Sequence, residues 1–525
     1  MGLRNTNLEL FLRKYNMEDI LSGIIEMQLC GSEQLIATRI PASEYLASNA
    51  ICLCKYDSDI RFMWSDYLKL EEFASNIYND DIEKLFSETL SLVDASDNVK
   101  QDFLKSQQMK LKNMAFRGDG YIYQLVSLAE QLYKPFDTEI KDKLGFTFSC
   151  CERMMIYIFK SYGYKAFEAH NKKYKNMFKS FIKIVQGKSE FMLPSIKDGY
   201  IFRVYKKELY TQFEKEEVDN ILKYISVPTD SRDLTISEVS EFKVLTSKPF
   251  VDFGEYIYMP ILESTLMNLP KLFHYTFIAE KIFDKYVVGQ YTKNRGDVIE
   301  DLTVRYLSRL VNKSNIHQSL KYKGEDGEAD VTVQIDNCTL FCECKSKTLT
   351  LGALKGITGS LKKDVYQAIG AAYSQGIPSI EWVQDGKSFF EIINGEEREI
   401  TLNNSPIKLI ICVTAENFGI IPSEIYNYVE IDEDTSIVPY VVNIYDFDIV
   451  TQECSDFNEL VSYLQFRQEN NQILSSMDEL DVLGFFKVNG NEKIKLNADV
   501  LMVTDFTKRF DKKYKKYNQE LFAKF

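Results

Sequence analysis

The 525-residue sequence is poor in the residues that build metal or disulfide scaffolds. It has three histidines, His170, His274 and His317, and its ten cysteines never fall in a CxxC spacing. Structural zinc sites draw on cysteine and histidine at short, fixed spacings, so none is expected here. The cysteines occur as Cys52/Cys54, the adjacent Cys150 and Cys151, Cys342/Cys344 and singles, a usage that fits a reducing compartment. No uninterrupted apolar run is long enough to cross a bilayer. The most apolar stretch near the middle, 146–160, is broken by Glu152 and Arg153. The first residues place Arg4, Glu9 and Arg13 early, without a signal-peptide pattern. A cytoplasmic protein with no membrane partner is expected. Gly352, Gly356 and Gly359 fit neither the Walker phosphate loop nor the dinucleotide fingerprint, so they read as a flexible loop near a substrate groove, without ATP dependence.

What is present is ordinary globular material. The hydrophobic fraction is 45% and the charged fraction 27%, and 35 Phe with 32 Tyr supply large cores. The length suits about three or four domains. The net charge of -14 argues against a nucleic-acid partner only at the level of the total, because phosphate binding needs a local basic surface. Two such patches exist. Segment 164–188 carries seven lysines against one acid, Glu168, and the C-terminus groups Lys508, Arg509, Lys512, Lys513, Lys515 and Lys516 around Asp505 and Asp511. Each is equally well read as a solvated helix face.

Along the chain, 1–190 reads as a mainly helical recognition or regulatory region. Segments 71–93 and 102–132 are long, proline-free helices, and 171–185 is an amphipathic helix with Tyr174, Met177, Phe178, Phe181 and Ile182 on one face. Residues 191–288 form a mixed connecting subdomain, with a loop at 226–235 and a strand-rich 244–260 broken by Pro249 and Gly254. Residues 289–446 run helix, strand, turn, strand, helix, strand, strand, an α/β layer with a mixed sheet. Residues 447–525 return to helix, with a short strand-like 484–495 and a basic terminal helix.

The chemistry concentrates in 328–345, EADVTVQIDNCTLFCECK. Val331, Val333 and Ile335 alternate with Thr332 and Gln334 as in a strand. Asp336 and Asn337 tolerate positive φ and suit a tight hairpin turn. A second strand follows, with Leu340, Cys342 and Cys344 on one face and Phe341, Glu343 and Lys345 on the other. A two-residue turn sets Ile335 opposite Cys338, and the same register sets Asp330 opposite Glu343. Two acids so placed repel each other in an ordinary sheet, but they suit a cation between them. Lys345 projects on the same face.

An acid, a hairpin and then ExK resembles the PD-(D/E)xK (restriction-endonuclease-like) nuclease superfamily. The resemblance covers about 289–446. It implies that Asp330 and Glu343 bind Mg²⁺ or Mn²⁺ with the backbone carbonyl of Cys344, and that Lys345 orients the attacking water and stabilises developing charge. GDVIEDLTVRYLSRL, 296–310, looks like the family's first helix, with Glu300 as its acid and a possible further ligand. KKDVYQAIGAAYSQG, 362–376, looks like the following helix, with Gln367 as the polar residue facing the site and Lys363 and Asp364 as weaker candidates. Strands at 407–414 and 437–444 would continue the sheet. The proline of the family's name is replaced by Ala329. Context selects this ExK, since Glu139/Lys141 and Glu241/Lys243 lack the strand, acid and turn.

The expected protein is therefore an α/β nuclease domain with a mainly α-helical N-terminal region. It would cut DNA with Mg²⁺ or Mn²⁺, in an architecture that resembles bacterial defence nucleases acting on phage or foreign DNA. A homo-oligomer or a defence-system partner protein fits that architecture. The alternatives are a ribonuclease using the same site, a silent nucleic-acid-binding or assembly protein, and a helical interaction protein with an incidental hairpin. Cys342 and Cys344 read as core residues, and His317 reads as an exposed or capping histidine rather than a phosphate contact.

Overall fold

The structure, a computed structural model, describes residues 6–29, 33–55, 58–60, 62–90, 97–115, 119–161, 202–231, 236, 238–239, 241, 244–262, 264–393, 395–432, 437–490 and 500–524. The basic segment 164–188 and the helix expected at 171–185 lie outside these residues.

The molecule is mixed α/β, with sheets flanked by helices. Its N-terminal part is helical, with helices Met17–Leu29, Glu33–Leu53, Trp64–Leu90 and Asp97–Ala115 (α1). The single helix expected over 102–132 is two helices, α1 and Ile122–Tyr133. Residues 119–121 between them are not helical. At that break a Cβ on Gly120 would lie 2.6 Å from Tyr445 Cβ, and Asp119 pairs with Lys271 at 2.8 Å. Both contacts come from residues far away in sequence. The connecting region forms a small four-stranded sheet from Val204–Tyr205, Tyr256–Tyr258, Phe250–Asp252 and Ser226–Pro228, in that order. The loop expected at 226–235 therefore begins as a strand.

The third region opens with the helix Lys285–Leu307 (α2), capped by the Asp284 side chain accepting from the N–H groups of Tyr286 and Val287. Seven strands follow: Ile316–Tyr322 (β1), Glu328–Ile335 (β2), Cys338–Lys345 (β3), Phe389–Ile393 (β4), Glu396–Ile400 (β5), Ile407–Thr414 (β6) and Tyr440–Asn443 (β7). Their order in the sheet is β7-β6-β3-β2-β1-β4-β5. The pairs β7/β6 and β6/β3 are parallel, and the rest are antiparallel. Three strands, β1, β4 and β5, go beyond the sequence reading. The crossover from β3 to β6 carries the helix Thr358–Val365 (α3), a π turn at Tyr366–Gly370 and the helix Ala371–Gln384 (α4).

The sheet has an apolar core on each face. Val331, Val333, Leu340, Cys342 and Cys344 join one core with Ile299 and Leu302 of α2. Phe341, Ile410 and Cys412 join the other with Ala372, Tyr373 and Ile380 of α4. The first core is continuous through all four sequence regions, from Leu8 and Val227 to Tyr514. Parallel strands buried on both faces need the crossover helix that α3 and α4 provide.

The strand-like reading of 484–495 fails for its described part. Glu479–Asn489 is a helix, started by the Asp478 side chain accepting from Leu480 N–H, and it buries Leu480, Val482, Leu483 and Phe486. A Cβ on Gly484 would stand 2.6 Å from Phe506 Cβ, so that glycine marks close packing rather than a turn. Among the described residues no helix is long and apolar enough to cross a membrane.

Candidate active site

The hairpin that carries the acids has the expected register. Ile335 pairs with Cys338 and Val331 with Cys342 across the Asp336-Asn337 turn, where Asp336 has φ 49°. One step further, Asp330 and Glu343 stand at the open end of the pair. The ladder ends there because the Asp330 side chain takes over. Its Oδ2 accepts the Cys344 N–H at 2.7 Å, in place of a strand carbonyl.

Strand β2 also turns at this point. Val331 belongs to the core under α2, while Ala329, two residues earlier, belongs to the core under α4. In a regular strand the two would share a face. On the neighbouring strand Ser319, the residue opposite Asp330, has φ 54°, a left-handed conformation that costs a residue with a Cβ. The local twist re-aims Asp330, as irregular strand pairs near functional sites do.

Asp330 sits in a network. Lys345 Nζ approaches its Oδ2 at 3.3 Å and donates to Gln375 Oε1 at 2.7 Å. Gln375 Nε2 donates to Asp330 Oδ1 at 2.9 Å and to the Glu328 carbonyl at 2.9 Å. Helix α4 reaches this close because Gly376 packs on β6, where a Cβ would meet Ile410 Cγ2 at 3.0 Å.

Glu343 differs from Asp330. Its side chain is fully buried, and neither carboxylate oxygen makes a well-formed hydrogen bond; the polar groups nearest it are the backbone N–H and carboxylate of Asp330. Burial and then the Asp330 carboxylate push its pKa well above the ordinary carboxylate value, with Lys345 opposing. Glu300, half-buried on α2, is pushed up to about 7, by burial first and then by Asp330. Three carboxylates thus share one region of the sheet, and like charges there are costly without a cation.

Among the described residues no three His, Cys, Asp or Glu side chains converge in ligand geometry. Mg²⁺, however, is often held by only one or two carboxylates, with water and substrate oxygens completing its shell. The Glu343 oxygens, without a well-formed hydrogen bond beside Asp330, fit that donor set. The Cys344 carbonyl fits as well. Lys345 O accepts from Ala415 N–H on the β6 side, so the preceding carbonyl, Cys344 O, faces the opposite edge, toward Asp330. The thiols of Cys342 and Cys344 are buried and held protonated by burial, in agreement with their reading as core residues.

Gln367 does not reach this group. It is exposed on the π turn, and Gln375, eight residues later, takes the polar position beside Asp330 and Lys345. Lys363 is exposed. Asp364 is buried and serves the loop after β3, pairing with Lys347 at 3.0 Å and accepting from Thr350 N–H and Oγ1 at 2.7 Å each. His317 lies on β1 with Nδ1 3.5 Å from Glu391 Oε2. Glu139 and Lys141 lie in a helix, away from any hairpin.

Sequence reasoning also missed Arg295. This buried guanidinium donates to the Ser346 carbonyl at 2.7 Å and to Thr348 Oγ1 at 2.8 Å, fixing the chain as it leaves Lys345. Glu416 accepts from Leu349 N–H at 3.3 Å and lies 3.5 Å from Lys271, which pairs with Asp119 of the helical region. The only advance signal was an arginine, five residues before Glu300, on a helix face otherwise made of Tyr291, Val298, Ile299 and Leu302.

No family model, no curated protein and no solved structure matches this chain.

Proposed function

We propose that the chain is a metal-dependent phosphodiester hydrolase acting on nucleic acid, with its site at the open end of the β2/β3 hairpin. One observation carries this reading: a fully buried carboxylate, Glu343, without a well-formed hydrogen bond, beside a second carboxylate held in place by Lys345 and Gln375. A buried carboxylate without a well-formed hydrogen bond is expensive to ionise, and a bound cation is chemistry that offsets that cost.

Asp330 and Glu343 would hold the ion with the Cys344 carbonyl, and Glu300, whose carboxyl feels the Asp330 charge, would act through water. When bound, the metal polarises the phosphate and lowers the pKa of the attacking water. The chain's own groups supply the rest. Lys345, oriented by Gln375, holds a positive charge where the phosphate gains negative charge. Gln375 in turn fixes the Asp330 carboxylate. Arg295 holds the Ser346 carbonyl and so sets the direction of the Lys345 stem. DNA is the substrate of the resemblance stated above, and the same groups act equally on an RNA phosphate. A role in defence against phage or foreign DNA follows from that resemblance alone.

The test is cleavage of plasmid DNA, single-stranded DNA and RNA with Mg²⁺, Mn²⁺ or EDTA, comparing wild type with Lys345→Ala. Metal-dependent cutting that disappears in the variant supports the assignment. Undiminished cutting by Lys345→Ala, or an absence of both cutting and metal binding by calorimetry, rejects it.

A further inference from the structure

The helix that supplies Gln375 has an outward face that the proposed hydrolysis does not use. Leu361, Val365, Ala368, Ile369 and Ala372 are buried in the core beneath it. Lys362, Lys363, Tyr366 and Gln367 are exposed. In a plain α-helix, residues four apart drift by about 40° per step, so Gln375 would lie about 120° away from Lys363. The π turn at Tyr366–Gly370 winds more slowly, because its bonds close from i to i+5. It brings Gln375 back toward the line of Lys363, Gln367 and Ala371. A track that is exposed at Lys363 and Gln367 and half-buried at Ala371 and Gln375 therefore leads along the helix toward the Asp330 and Lys345 group.

Tyr366 flanks this track and is 63% exposed. Its ring lies over Gly370, where an added Cβ would come within 2.8 Å of the ring. Glycine at that position lets the ring lie down on the helix and present itself to solvent. The charge of the segment has one sign. Residues 351–380 contain Lys355, Lys362 and Lys363 against a single acid, Asp364, which is buried and engaged with Lys347 and Thr350. All three lysines are exposed.

We propose that this face is the track for a single nucleic-acid strand entering the site, with an unpaired base stacked on Tyr366. Cations that follow a phosphate backbone beside an outward aromatic are the means by which proteins hold single strands without reading sequence. A base-paired duplex keeps its bases stacked inside and offers Tyr366 none. Nine residues of helix separate Tyr366 from Gln375, about 13 Å at 1.5 Å per residue. That is about four stacked nucleotides at 3.4 Å each. The proposal rests on the nuclease reading and names its substrate class, single-stranded segments.

The test measures binding by fluorescence anisotropy of the full chain carrying Lys345→Ala to prevent cutting. The probes are labelled 20-nucleotide single-stranded DNA, the same sequence as RNA, and a blunt duplex. Adding Tyr366→Ala is expected to weaken binding of the preferred single strand about tenfold, with duplex binding changed less than about twofold. Tyr366→Phe keeps the ring and retains affinity, which separates stacking from misfolding. Gly370→Ala displaces the ring and weakens binding with it. Replacing Lys363 is expected to lower the salt slope by about 0.7, the value of one phosphate contact. Single-strand affinity unchanged by Tyr366→Ala for both DNA and RNA overturns the track. If wild type still cuts nucleic acid in that case, the nuclease reading stands without it. A chain that neither binds nor cuts any of the three probes removes both.

Discussion

Replacing Asp330 by asparagine and by alanine separates the structural job that the geometry gives to this carboxylate from the chemical one proposed for it. The first is structural. Asp330 Oδ2 takes the Cys344 N–H at 2.7 Å, where β2 no longer offers a carbonyl. A hydrogen bond to a charged acceptor contributes about 1.5–3 kcal/mol, and an abandoned buried donor adds its own desolvation cost. Alanine removes the acceptor and also relieves the repulsion on Glu343 and Glu300, so a net loss of about 2 kcal/mol is expected. Asparagine keeps an oxygen for Cys344 and removes the same repulsion, so it should hold stability within about 1 kcal/mol of wild type. The second job is chemical. Neither replacement carries the ligand charge, and losing about 4 kcal/mol of transition-state stabilisation slows cleavage about a thousandfold. The assay pairs thermal midpoints in EDTA with cleavage in Mg²⁺. Equal midpoints for Asn and Ala would refute the structural job. Cleavage by Asp330→Asn at the wild-type rate would refute the chemical one.

Glu300 gives a pH signature. Its folded pKa is raised from 4.5 to about 7, so the folded protein holds the proton more tightly than the unfolded chain. The associated stability is full below about 4.5 and is lost as pH rises through about 7. Glu300→Gln should flatten the fall in thermal midpoint over that window, and superimposable wild-type and variant curves would contradict this. Burial holds the proton on Glu343 more tightly than in a free carboxyl, so Mn²⁺ affinity should rise with pH and binding should release a proton. Calorimetry in buffers of different ionisation enthalpy reads this directly, and an affinity independent of pH would count against Glu343 as a ligand. Arg295→Met leaves the Ser346 carbonyl and Thr348 hydroxyl without their donor. It should cost about 2–4 kcal/mol and slow cleavage at least tenfold, with faster proteolysis in 346–357. Unchanged proteolysis would mean that the loop is held by other contacts.

The hairpin was legible in the sequence because its determinants are local. Alternation over 331–335 and 338–345 sets two strands, and Asp336-Asn337 fixes a two-residue turn, so the register follows by counting. That register alone places Asp330 beside Glu343 and Lys345 on the same face. Glu300 was legible for a similar reason, since a helix of known phase puts it at the edge of an apolar arc. The polar partner was not. Choosing between Gln367 and Gln375 requires the phase of α4, and the π turn at Tyr366–Gly370 resets it. No pattern in YQAIG announces that turn; it forms where the helix packs over the sheet.

The same limit explains the other departures. The strand-like apolar pattern at 484–489 became helix because Asp478 caps it and Phe506 packs against Gly484. The helix over 102–132 breaks at Gly120 to admit Tyr445. Asp364, a candidate site residue, is used instead to hold Thr350 and Lys347.

By itself the sequence determined the mixed α/β character, the hairpin register and the convergence of two acids and a lysine, because each depends on neighbours within a few residues or across one tight turn. Only the tertiary structure decided that Glu343 is buried without a well-formed hydrogen bond, that Gln375 and Arg295 complete the group, and that β2 twists at Asp330. Those outcomes depend on which distant side chains remain to satisfy a buried polar atom once the sheet and its helices have closed around it.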